Sequence, residues 1–121
     1  MTSVNSAGTP QQHYACADIV RIECTPADDS HCAELAMLLE VWEGGGIVHT
    51  SFPISAGSSV AVAVEQTEVT AEVIKCEPDD SFGYLIDINI QTPTKWFPCG
   101  YVPAWRLAID DKAVTAPGFV H

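Results

Sequence analysis

Positive charge is scarce in this 121-residue chain: five Lys and Arg stand against sixteen Asp and Glu, for a formal net charge of −11. A chain so acidic repels phosphates at long range, which argues against nucleic acid or an anionic membrane as its main partner. Its cations are Arg21, Lys75, Lys95, Arg106 and Lys112, so any local basic pocket must be built from very few residues. Long apolar runs are also missing; nothing approaches the roughly 18 residues of a membrane-spanning helix. Met1 to Gln12 is polar, with neither a positive start nor an apolar stretch, and does not read as a secretory leader. The five cysteines (Cys16, Cys24, Cys32, Cys76 and Cys99) are odd in number and show no CxxC spacing. That pattern suits thiols that stay reduced, and the expected location is the cytoplasm.

Apolar residues are plentiful by contrast. They make up 47% of the chain, enough for one core, and the length suits one domain rather than two. Met1 to His13, rich in Ser, Gly, Thr, Pro and Gln, reads as a disordered tail. The ordered domain is expected over residues 14–110, with a second tail over 111–121.

Within the domain, period-2 alternation marks one strand after another. Asp18-Ile19-Val20-Arg21-Ile22-Glu23-Cys24 places Val20, Ile22 and Cys24 on one face. Ser59 to Val64, Thr67 to Lys75 and Phe82 to Ile90 repeat the pattern, and Ile47 to Thr50 is a brief version of it. Pro26 to Ser30 turns the chain, while Glu77 to Ser81 makes a five-residue hairpin connection. Cys32 to Val41 is ambiguous: Leu35, Leu38 and Leu39 fall at helical spacing among good helix formers, yet its neighbours on both sides are strands. We read it as a strand. Thr92 to Ala104, with three prolines and several aromatics, reads as an irregular lid over the barrel's end or seam, and Ala104 to Asp110 as a single helical turn. Trp96, Phe97 and Trp105 are expected in the core. Six or seven short strands in so small a chain favour a closed antiparallel barrel, because closure removes edges prone to aggregate. The expectation is all-β: a six-stranded barrel with a short C-terminal helical turn.

The order of parts carries a resemblance. Glu40-Val41-Trp42-Glu43-Gly44-Gly45-Gly46-Ile47-Val48-His49-Thr50 joins a glycine turn to a short strand. Phe52-Pro53-Ile54-Ser55-Ala56-Gly57-Ser58-Ser59-Val60 then leads into long strands, and Phe82-Gly83-Tyr84-Leu85-Ile86-Asp87-Ile88 closes the set. Over Cys16 to Asp110 this resembles the PilZ domain, a small six-stranded barrel of bacterial cyclic di-GMP signalling. In that family the ligand site rests on an Arg-x-x-x-Arg stretch before the first strand and an Asp/Asn-x-Ser-x-x-Gly turn. Paired guanidinium groups hold phosphates and stack on guanine, while the turn offers short polar side chains and open N–H groups.

The residues here depart from that pattern. Arg21 is the lone arginine before the Gly44 turn. Aligned on Gly45, Glu40 occupies the Asp/Asn position and Trp42 the Ser position, and Glu43 adds a negative charge. The resemblance thus implies ligand-facing positions at Arg21, Glu40, Trp42 and Gly45, and an interaction surface at Trp42, Glu43, Gly44 and Gly46. The expected function is a degenerate, non-enzymatic regulatory or interaction module with a protein partner and weak or no cyclic di-GMP binding. A second reading keeps the nucleotide receptor through substitute cations such as Arg21 and Arg106.

A third reading is an unrelated small barrel working as a metal protein or enzyme. His13, Cys16, Cys24, His31 and Cys32 lie close in sequence, yet cysteines eight residues apart match no usual ligand spacing. Buried thiols are common core residues, and no metal or other cofactor is expected. A pairing of Cys99 or Cys76 with His49 lacks any context that would activate the thiol. Asp79-Asp80 and Asp110-Asp111 read as solvated turn carboxylates.

Overall fold

The computed structural model describes residues 12–24, 32–91 and 96–109. Seven strands follow in order: β1 (His13–Cys24), β2 (Cys32–Trp42), β3 (Gly45–Thr50), β4 (Ser59–Val64), β5 (Thr67–Pro78), β6 (Tyr84–Ile90) and β7 (Leu107–Ile109). All neighbours are antiparallel in the order β2-β3-β6-β5-β4-β1-β7, and a β1–β2 pairing closes the first six strands into a barrel. The ambiguous 32–41 segment is therefore a strand, and the all-β barrel is the architecture.

Alternation does the work the sequence promised. Val20, Ile22 and Cys24 of β1, Val60, Val62 and Val64 of β4, Val69, Ala71 and Val73 of β5, and Ile86 and Ile88 of β6 all point into the core. Bulges punctuate the register: between Ala15 and Asp18 on β1, between Leu38 and Glu40 where β2 meets β3, and between Val73 and Lys75 on β5. Such insertions bend long strands and let a sheet curl shut. Among the described residues no helix is long and apolar enough to cross a membrane.

Three sequence expectations change. Residues 104–109 bend and then form β7 rather than a helical turn; β7 pairs with His13–Ala15, a partner some ninety residues away that local propensity cannot reveal. Trp105, expected in the core, is 58% exposed. His13, assigned to the tail, opens β1 opposite Ile109. Apart from Gln12, the rest of both expected tails, with Asp110, lies outside the described residues.

The aromatic segment does plug the barrel. Trp96, Phe97 and Tyr101 join the core cluster. Trp96 Nε1–H donates to the Gly45 carbonyl at 3.1 Å, and Tyr101 O–H donates to the Asp18 carboxylate. Thr67 Oγ1 donates to the Gly100 carbonyl at 2.6 Å, tying the segment to the start of β5.

Candidate functional site

Three stretches meet at the mouth beside the glycine turn: the start of β1, the end of β2 with its turn, and the segment running into β7. There the imidazole of His13 stacks on the indole of Trp42, and its Nδ1 lies 2.5 Å from Glu40 Oε2. Both rings are half-exposed. Their sequence neighbours Gln12, Tyr14 and Glu43, with Phe97, Pro98, Val102 and Arg106, line a separate pocket of about 300 Å³; Tyr14 pairs with the buried Val41, so it faces the opposite side of the ribbon from the two rings. The Arg106 guanidinium sits 5.6 Å from the Tyr14 ring centroid, a cation–π geometry, and Tyr14 in turn tilts against Phe97 at 5.2 Å. Gln12 Nε2 donates to the carbonyls of His13 and Ile109, at 2.9 and 3.0 Å, which staples β7 across the pocket's rim.

Local chemistry explains why this corner has its shape. Gly45 and Gly46 are buried in the β3–β6 ladder. A methyl group on Gly45 would collide with the Ile88 carbonyl oxygen, and one on Gly46 would lie 2.8 Å from the Glu40 oxygen. Their smallness serves the close approach of strands and leaves room for Trp42, whose ring edge borders Gly45. Gly45 is thus no ligand-facing position, and Gly46 does not reach the interaction surface. Gly44 is half-exposed, and its carbonyl accepts from Ile90 N–H at 2.8 Å.

Of the residues the sequence points to, Glu43 and Arg106 line the pocket, while Glu40 and Trp42 hold His13 on the outer side of the same ribbon. Arg21 is brought to neither place. That residue lies eight positions along β1 from His13, roughly 26 Å at strand spacing, opposite Leu35 and Ala63, and its guanidinium is 3.9 Å from Glu23. Among the described residues Arg106 is therefore the mouth's cation, with Glu43 in the same pocket and Glu40 nearby. Sequence reasoning missed Gln12, His13, Tyr14 and Val102; the adjacent aromatic pair His13-Tyr14 was the available signal, obscured by the polar tail before it.

The Cys16 thiol is poorly suited to nucleophilic work. Cys16 is buried, its S–H donates to the Leu38 carbonyl at 3.5 Å, and its pKa is pushed up to about 11 by burial, then by the charges of Asp18 and Glu40. Tyr101 is driven higher than a free phenol by burial and by its bond to Asp18. His49 faces the Phe82 carbonyl at 2.6 Å and the Asp79 carboxylate at 3.5 Å, so it braces the β5–β6 loop instead of pairing with Cys76 or Cys99. Among the described residues no group of three or more His, Cys, Asp or Glu could hold a metal ion. No protein-family model, curated protein or solved structure gives a significant match to this chain.

Proposed function

We propose that this barrel is a cytoplasmic, non-enzymatic regulatory or interaction module, PilZ-like in its order of parts, that meets a protein partner at the His13–Trp42 mouth. One observation carries the reading: half-exposed stacked aromatics, His13 on Trp42, stand at the same end of the barrel as a small pocket that sets the Arg106 guanidinium beside Glu43. Aromatic and arginine side chains on a partly desolvated surface are the groups that dominate protein contacts. The pocket, about 300 Å³, stands at the lower end of small-molecule sites and suits one inserted side chain. A net charge of −11 favours a partner with a basic surface.

A cyclic dinucleotide fares badly here. Its two phosphates need paired cations, and among the described residues Arg106 is the pocket's cation, beside Glu43, with Arg21 far along β1. Direct cyclic di-GMP binding is weak or lost. Isothermal titration with cyclic di-GMP is expected to give no saturable heat at micromolar nucleotide. Sub-micromolar binding abolished by Arg106→Ala but not by Arg21→Ala would instead establish the receptor reading, which the placement of Arg106 over Tyr14 favours over one built on Arg21.

A further inference from the structure

Strand register brings two of the five cysteines together. Cys24, the last residue of β1, stands directly opposite Cys32, the first of β2, on the final rung of an antiparallel ladder that runs without a shift from Asp18. Facing residues in such a ladder keep their Cα atoms about 4.5 or 5.5 Å apart, according to the rung. Both spacings fall inside the window of about 4.4–6.8 Å that a disulfide spans. Because this rung is terminal, no further one holds the strands at their ordinary spacing. No two other cysteines are so placed among the described residues. Cys16 lies eight positions back along β1, roughly 26 Å away at strand spacing. Cys76 faces Ile86 on β6, and Cys99 lies in the turn between Trp96 and Tyr101.

We infer that Cys24 and Cys32 are a redox-active pair, closed to a disulfide by a low-molecular-weight disulfide of the glutathione class. One cysteine thiolate attacks a sulfur of the small disulfide, forming a mixed disulfide and expelling one small thiolate. The facing thiolate then attacks the protein sulfur of that mixed bond and expels the second. The pair gives up two electrons and two protons, and the small disulfide takes them and departs as two thiols. Burial sets the order. Cys24 is 6% exposed and screened from a bulky oxidant, so Cys32 takes the first exchange and Cys24 resolves it. The bond falls on the seam of the fold. The β1–β2 ladder is the pairing that shuts the barrel, and Cys24 also stands opposite Val60 of β4. A covalent link on this rung locks the closure and confines the chain between the two cysteines. It leaves untouched the pocket at the His13 end of β1.

Peptide mapping of the full chain tests this. After incubation with oxidised glutathione, the remaining thiols are alkylated in denaturant and the chain is cut with trypsin. Cleavage after Arg21 and Lys75 releases residues 22–75, a peptide whose cysteines are Cys24 and Cys32 alone. It should take up no alkylating agent, weigh two hydrogens less than the reduced peptide, and revert on treatment with a reductant. In Cys24→Ala the same peptide should stop as a glutathione mixed disulfide on Cys32, whereas Cys32→Ala should leave Cys24 unmodified. Thermal scans use the Cys99→Ser chain, which lacks the exposed thiol. There the oxidised form should melt about 5 °C or more above the reduced one, a rise that Cys32→Ala abolishes. A wild-type peptide that takes up two alkyl groups, or that stops as a mixed disulfide, overturns the inference. So does a bond from either cysteine to Cys16, Cys76 or Cys99, or a bridged chain that melts no higher than the reduced one.

Discussion

The imidazole of His13 lies flat on the indole of Trp42, ring centroids 4.1 Å apart and planes within 5°. The pair fastens the first residue of β1 to the last of β2, and Glu40 holds the imidazole at its Nδ1 edge. A stacked aromatic pair contributes about 1 kcal/mol beyond the area it buries. His13→Ala and Trp42→Ala should each lower the urea-unfolding free energy by about 1–2 kcal/mol. Their double-mutant cycle should return a coupling of about 0.5–1 kcal/mol; strictly additive losses would show that the rings do not support one another.

Gly45→Ala and Gly57→Ala should differ sharply, for separable reasons. At Gly45 the new methyl meets the Ile88 backbone, which cannot yield without opening the β3–β6 ladder. A loss of about 3 kcal/mol or more is expected there. Gly57 has open space around it, but its φ of +93° is hostile to a side chain. That substitution should cost about 1 kcal/mol. Equal losses at the two sites in chemical denaturation would contradict the distinction.

Glu65 carries avoidable strain. It occupies the two-residue β4–β5 turn with φ of +56°, a left-handed conformation that suits Gly or Asn far better. Glu65→Asn or Glu65→Gly should therefore stabilise the barrel by about 0.5–1 kcal/mol and raise its melting temperature by roughly 4 °C. A lower melting temperature for both variants would rule out the strain.

Alkaline pH should weaken the fold through Cys16. Its thiol holds its proton to about pH 11 in the barrel, against 9.0 when unperturbed, so between those values the unfolded chain loses a proton that the folded one keeps. The stabilisation is complete below about pH 8.5 and is lost as pH rises to about 11, worth roughly 2 kcal/mol. Tyr101, raised in the same direction, adds to the fall. Unfolding free energies measured from pH 8 to 11 should decline, and Cys16→Ala should flatten part of the slope. A slope unchanged by that substitution would remove Cys16 as its source.

The barrel was legible wherever one face of a strand is aliphatic and the other polar; Ser59–Val64 emerged with the bounds read from the sequence. It was blurred at β2 for a reason now visible. Leu38 fills the core while Leu35 and Leu39 face outward, so a strand apolar on both sides mimics the three-and-four spacing of a helix. Strand β7 and residue His13 were illegible because each is ordered by the other end of the chain. At the candidate site, Glu40 and Trp42 meet at His13, and Glu43 and Arg106 meet in the pocket. Arg21 was marked with them, but nothing in the sequence shows that eight residues of extended β1 separate it from the mouth.

The pairing of His13 with Ile109 has a mechanical corollary. The chain enters and leaves the barrel at adjacent points on antiparallel strands, so tension applied between those two points loads the β1–β7 hydrogen bonds singly rather than together. Under pulling, the three β1–β7 pairs open one at a time from the His13–Ile109 end, and β7 peels away at low force before the closed barrel opens.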